Sequence, residues 1–313
     1  MKKTLRFLTI VLMAISVTFV SCKKSSVDNN TDSSAELATH SDDQSRFDNE
    51  SDAVANDANA AIENFAAFEG RELNTLLLPC DATVTLDSTA TLRRITIIYN
   101  GTNCSGTRTR TGKVELTMPL GQRFRDAGAV VTTTITNLKI TRIADNKSIT
   151  INGVHTITNV TGGRLIGLGN PGAPAIIHDI ASPGLTVTFD NGTVRSWQIA
   201  KRRTFSYSSG IVITTVGTHT DGGTSNIAEW GTNRFGNPFV TVFTQPLVIR
   251  QDCGFRLVSG EVSHQRLAGT SVVTFGLDST GVPTTCPGIG GHYYFKLVWT
   301  GANGIVRTFI LPY

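Results

Sequence analysis

Side chains able to do chemistry are few and widely spread along this 313-residue chain. His155 and His219 hold equivalent places in two similar stretches, Ile149-Thr150-x-x-Gly153-x-His155-Thr156 and Ile213-Thr214-x-x-Gly217-x-His219-Thr220. A metal shared between two strands is the chemistry they suggest; a hydrogen-bonded or solvated strand histidine is the simpler account and the favoured one. His178-Asp179 are adjacent, and neighbours on an extended chain point to opposite sides, which suits acid–base work poorly. Glu115, Asp126, Asp190 and Glu261 are scattered among different strands, whereas glycoside hydrolysis needs two carboxyl groups close together. Gly167-Leu168-Gly169-Asn170-Pro171-Gly172 fits the letters of a dinucleotide fingerprint. Ala173-Pro174 follows at once, so no helix N-terminus is offered to a pyrophosphate, and the segment reads as a loop. No Gly-x-Ser-x-Gly elbow, phosphate-cradling loop or His-Glu-x-x-His is present. The expectation is a chain with no catalytic residue, no metal and no cofactor.

Charge and composition say more about organisation. Of the residues, 40% are hydrophobic and 17% charged, enough for a sizeable core and unlike a coiled coil. The net charge of +4 conceals an acidic stretch over 23–70, net −8, and a basic remainder over 71–313, net +9. Residues 1–21 read as a signal peptide, with Lys2, Lys3 and Arg6 before an apolar run too short to span a bilayer comfortably. Residues 22–50, rich in Ser, Asp and Asn, read as a disordered tether. Over 51–70, Val54, Ala58, Ile62, Phe65 and Phe68 recur at helical spacing, with Ser51 as N-cap and Gly70 as stop. This amphipathic helix either binds a partner or packs on the remainder of the chain.

Residues 71–313 read as an all-β body. Short near-alternating runs such as Arg94–Tyr99, Val131–Ile140 and Tyr294–Trp299 are broken by Gly, Asn, Asp and Pro. Asn191-Gly192 and Asn303-Gly304 sit between apolar runs and suit tight hairpins. An antiparallel meander is expected, either a sandwich or an extended twisted sheet, and the paired motifs raise two related β units. Beyond Cys22, four cysteines allow three pairings; proximity favours Cys80 with Cys104 and Cys253 with Cys286. Trp197, Trp230 and Trp299 offer surfaces that stack on sugar rings, if they are exposed rather than packed in the core. Arg108, Arg110 and Lys201-Arg202-Arg203 give basic strand faces whose candidate partners are anionic headgroups, lipopolysaccharide or the chain's own acidic leader. For an exported chain nucleic acid is not an expected partner.

Phe19-Val20-Ser21-Cys22-Lys23-Lys24 resembles the lipobox of bacterial lipoproteins, in the form common among Bacteroidetes, with Phe19 where the stricter pattern has Leu. The resemblance implies acylation of Cys22 and anchoring to the outer membrane, facing the periplasm or the exterior. The segments 104–114, Thr188–Thr193, Gly231–Arg234 and Pro246–Gly260 are similar to those of uncharacterised β-rich lipoproteins of that group, which bring no activity with them. Asp87-Ser88-Thr89 and Asp278-Ser279-Thr280 resemble acceptors of O-glycosylation in the same bacteria, implying glycans on Ser88 and Ser279. The expected function is a non-enzymatic envelope module that is structural or binds envelope proteins. Glycan or ligand binding through exposed aromatics is the alternative, and a hydrolase with an unrecognised site the third.

Overall fold

The computed structural model describes residues 29–65, 78–266, 269–287, 291–301 and 304–313. The signal peptide and Cys22 lie outside them, as do Phe68, Gly70 and Asn303. Among the described residues one α-helix, α1 (Asn29–Asn64), precedes fifteen strands. These are β1 (Ala82–Ser88), β2 (Leu92–Thr102), β3 (Arg108–Pro119), β4 (Ala129–Arg142), β5 (Ser148–Asn159), β6 (Ile176–Phe189), β7 (Val194–Tyr207), β8 (Ile211–Gly217), β9 (His219–Asp221), β10 (Thr224–Thr232), β11 (Pro238–Arg250), β12 (Arg256–Arg266), β13 (Gly269–Leu277), β14 (Tyr294–Gly301) and β15 (Val306–Pro312). Residues 40–313 make one compact unit, and the contacts below are all within it.

The fold is all-β. Strands β1 to β7 and then β10 to β15 follow one another as antiparallel neighbours in a single sheet. Strand β8 is paired with β7 and β11, and β9 with β10. The local causes are those the sequence carries. Between β6 and β7, Gly192 takes a positive φ of 80°, and Phe189 and Thr193 close the hairpin around it. Asn191 Oδ1 accepts from the Thr193 N–H and hydroxyl, fixing the turn further. By contrast, Asn100-Gly101 and Asn152-Gly153 lie inside β2 and β5. At the bulge between β3 and β4, Gly112 has φ 118°, and a Cβ there would fall 2.3 Å from the Asn137 carbonyl oxygen. Only glycine fits that approach.

One face of the sheet carries the core. Val54, Ala58, Ala61 and Ile62 of α1 pack with Ile95, Ile97, Val114, Leu116, Ile151, Trp197 and Phe239 of the strands. Each fully buried Val, Ile or Phe contributes roughly 1.5–3 kcal/mol, and the alanines let helix and sheet approach closely. The helix is longer than residues 51–70, so the tether expected over residues 22–50 is corrected: from Asn29 onward it is helical. Ser51 is inside the helix rather than at its cap. The physical reason is that acidic residues expected to be solvated find cations on the sheet, and Phe47 is fully buried. Ile149–Thr156 lies within β5, whereas Ile213–Thr220 is split between β8 and β9. His155 is within β5 whereas His219 opens β9, so matching letters do not occupy matching positions.

Candidate functional site

The polar side chains that the fold concentrates lie where α1 meets the sheet. Apolar Phe47, Val54 and Ala61 recur at seven-residue intervals, and so do acidic Asp43, Glu50 and Asp57. A helix therefore shows an apolar stripe flanked by a row of carboxylates. The acids meet cations from several strands. Asp43 accepts from Nε and Nη2 of Arg234, whose Nη1 goes to Asp190, and Glu50 lies 3.0 Å from Arg108. Asp57 Oδ2 accepts from Arg110 at 2.7 Å and from the Tyr99 hydroxyl at 2.8 Å. Arg110 is also held bidentately by Asp81 at 2.7 and 2.6 Å, with its guanidinium 4.3 Å over the Tyr99 ring. Asp52 pairs with Arg203, Asp42 with Arg142, and Glu63 with Arg164 and the Leu165 N–H. Partners come from β3 and from β7, four places apart in the sheet, so the helix ties together strands that do not pair with each other. Of the basic strand residues singled out, Arg108, Arg110, Lys201 and Arg203 meet acids of the helix, whereas Arg202 pairs with Asp179.

Glu229 is the deepest member. It is fully buried and its Oε2 accepts from the Trp197 indole N–H at 2.8 Å; Gln44 Nε2 and Lys201 Nζ also contact the carboxyl group. Lys201 reaches Asp48 at 2.9 Å, and the Asp48 side chain is 31% exposed. Burial, and then the charge of Asp48, push the Glu229 carboxyl well above its usual range. Burial is also the largest influence on Asp48 and raises it, but the charge of Lys201 together with hydrogen bonds to Glu229 and Lys201 leaves that group lowered. Lys201 itself is opposed by burial, yet Asp48 and Glu229 hold it protonated. Two carboxyl groups pushed apart beside a lysine have the composition of an acid–base site. Their setting is otherwise, because Glu229 faces packed indole, amide and ammonium groups and meets no solvent. The arrangement binds helix to sheet.

The residues singled out from sequence are dispersed. Trp197 is 0% exposed and Trp299 is buried, while half-buried Trp230 stacks on His219 at 4.1 Å. These three indoles form no exposed platform for a sugar, which corrects the aromatic-binding expectation for them. Ser88 and Ser279 are both exposed, the latter in a turn that Asp278 closes through Thr280 and Val282. Cys80 and Cys104 lie at disulfide distance with Cα atoms 5.7 Å apart, as do Cys253 and Cys286 at 5.4 Å. Asp252 joins the second couple in the one potential metal-ligand cluster among the described residues, but paired sulfurs are poor ligands. Gly167–Gly172 is a loop after the short 3-10 turn Leu165–Gly167. On the opposite side of β6, β7 and β10, a shallow depression of about 550 Å³ is lined by Thr186, Val194, Arg195, Ser196, Thr232 and Gly236. Arg195 is already committed there to the carbonyls of Val194, Asn233 and Arg234.

Sequence reading missed Asp43, Asp48, Glu50, Asp57 and Glu229. The signal was the seven-residue interval of acids upstream and, in β7, the phase of Lys201 and Arg203 with Trp197, Ile199 and Phe205. A cation in register with buried rings must find a counter-charge.

His155 and His178 make the unit acid-sensitive. Both are buried, and both are lowered to about 4 by burial and then by the nearby charge of Arg203. Among the described residues no hydrogen-bond partner meets either ring nitrogen of His155, and His178 lies between Phe124 and Phe205. A folded pKa below the unfolded one gives stability that is present above about pH 6.5 and lost as pH falls toward 4. From pH 7 to pH 4.5 the His155 contribution should fall by about 2–3 kcal/mol. Asp43, Glu50 and Asp57, raised by burial, act in the opposite sense. The test is therefore the difference in urea stability between the wild type and His155→Leu at the two pH values; a difference that stays constant refutes it.

Comparison with protein-family models, curated proteins and solved structures finds no match to the chain.

Proposed function

We propose that this chain is a lipoprotein of the bacterial cell envelope, anchored by acylated Cys22 and serving as a non-enzymatic structural or interaction module. The observation that carries the non-enzymatic reading is Glu229. The most chemically loaded cluster among the described residues is spent inside the molecule, joining Gln44 and Asp48 of the helix to Trp197 and Lys201 of β7. The anchoring reading rests on the residues around Cys22, and no described helix is long and apolar enough to cross a membrane. Each buried acyl methylene adds about 0.8 kcal/mol, so two or more chains hold such a protein firmly on the outer membrane, whichever side it faces. Exposed Ser88 and Ser279 suit carriers of O-glycans and would add mass to the mature chain.

Mass spectrometry of the mature N-terminal peptide is the test. Cys22 as the first residue, carrying a diacylglyceryl group, is the expected result, with Cys22→Ala released from the membrane fraction. An unmodified or excised Cys22 overturns the anchoring. Protease shaving of intact and opened cells then assigns the facing.

A further inference from the structure

Among the described residues the sheet ends at β15. β15 runs beside β14 without any shift of register from Val306 to Pro312. Gly301 N–H donates to the Ile305 carbonyl and Tyr313 N–H to that of Tyr293, so the odd-numbered residues turn their backbone groups toward β14. By the alternation of antiparallel ladders, the N–H and C=O of Val306, Thr308 and Ile310 point away from it. No described residue pairs with them. Solitary sheets blunt such an edge with lysines, internal prolines or bulges. Here the strand is unbulged, Arg307 is its one charge, and proline stands only at its end. Val306, Phe309 and Leu311 are 58, 46 and 46% exposed. Phe309 lies beside Leu297 and Leu311 beside Phe295, so an apolar row runs to the edge and stops there.

We propose that β15 pairs with β15 of a second copy, antiparallel about a two-fold axis at Phe309, so that two sheets become one. This register overlaps the whole strand. Thr308 then faces Ile310 of the other copy, and the outward backbone groups of both exchange hydrogen bonds twice over. Each Val306 N–H meets the facing Pro312 carbonyl. Charge is compatible, because Arg307 faces Leu311 and not its own counterpart. Phe309 meets Phe309 in a non-hydrogen-bonded pair, where side chains approach most closely. The two-fold arrangement uses the edge once and closes at two copies, whereas joining β15 to β1 of the next copy is head-to-tail and gives larger rings or open chains. The proposal holds whether or not Cys22 is acylated.

The full-length chain in detergent should sediment as a dimer at micromolar concentration. Phe309→Cys should form a disulfide-linked dimer on mild oxidation, and Arg307→Cys should do so at least tenfold more slowly. Thr308→Pro removes an outward N–H and none of the bonds to β14, so it should weaken the dimer at least tenfold; Thr308→Lys is the alternative if proline impairs folding. A monomer across the concentration range overturns the proposal. So does a dimer unaffected by both Thr308 variants, or cross-linking of residue 309 to β1 or to an unrelated polypeptide in place of itself.

Discussion

Lys201→Ala should lose about 3–5 kcal/mol of folding stability, the usual cost of stripping one partner from a buried ion pair. Its ammonium is the counter-charge for the Asp48 carboxylate and also contacts the Glu229 carboxyl group, and its side chain is almost wholly enclosed. Removing it leaves two carboxyl groups facing each other across a space that alanine cannot fill. Glu229 would respond by holding its proton more tightly, which softens the loss without cancelling it. The double variant Lys201→Met with Asp48→Asn should be much closer to wild type, since it removes both members of the charged pair and leaves no carboxylate in need of a counter-charge. Urea unfolding followed by the emission of buried Trp197 measures both. A single variant within about 1 kcal/mol of wild type would show that the cluster does not hold helix to sheet.

Opening the two cysteine couples should have effects of similar size. Cys80 to Cys104 and Cys253 to Cys286 close loops with sequence separations of 24 and 33. A cross-link over that length removes about 3–4 kcal/mol of unfolded-chain entropy. The first couple also fixes Asp81, which grips Arg110, beside the β2–β3 connection. Cys80→Ser with Cys104→Ser should therefore weaken the Arg110–Asp57 contact to the helix as well as the loop. Coincident urea midpoints for the oxidised and reduced protein would refute the expectation.

The strands were legible because their causes are local. Alternation in β4 and β7 and the Asn191-Gly192 turn act over a few residues, and the single antiparallel sheet follows from them. The extent of α1 was not legible. Asp48 meets Lys201 after 153 residues and Asp43 meets Arg234 after 191, so the polar upstream half looked unable to bury anything. Trp197 could not be assigned to core or surface from its own neighbourhood, because the decisive partner, Glu229, lies on another strand. His155 and His219 looked equivalent through letters that one strand uses in its interior and another at its start.

The order of the chain has a kinetic consequence. α1 leaves the ribosome before any of the strands, yet its last cationic partner among the described residues, Arg234, follows 191 residues after Asp43. Contacts of such separation close slowly, and the leading segment waits while the strands assemble. Folding should accordingly end with capture of a preformed or nascent helix, leaving a late intermediate whose cationic interior is briefly open to any polyanion nearby.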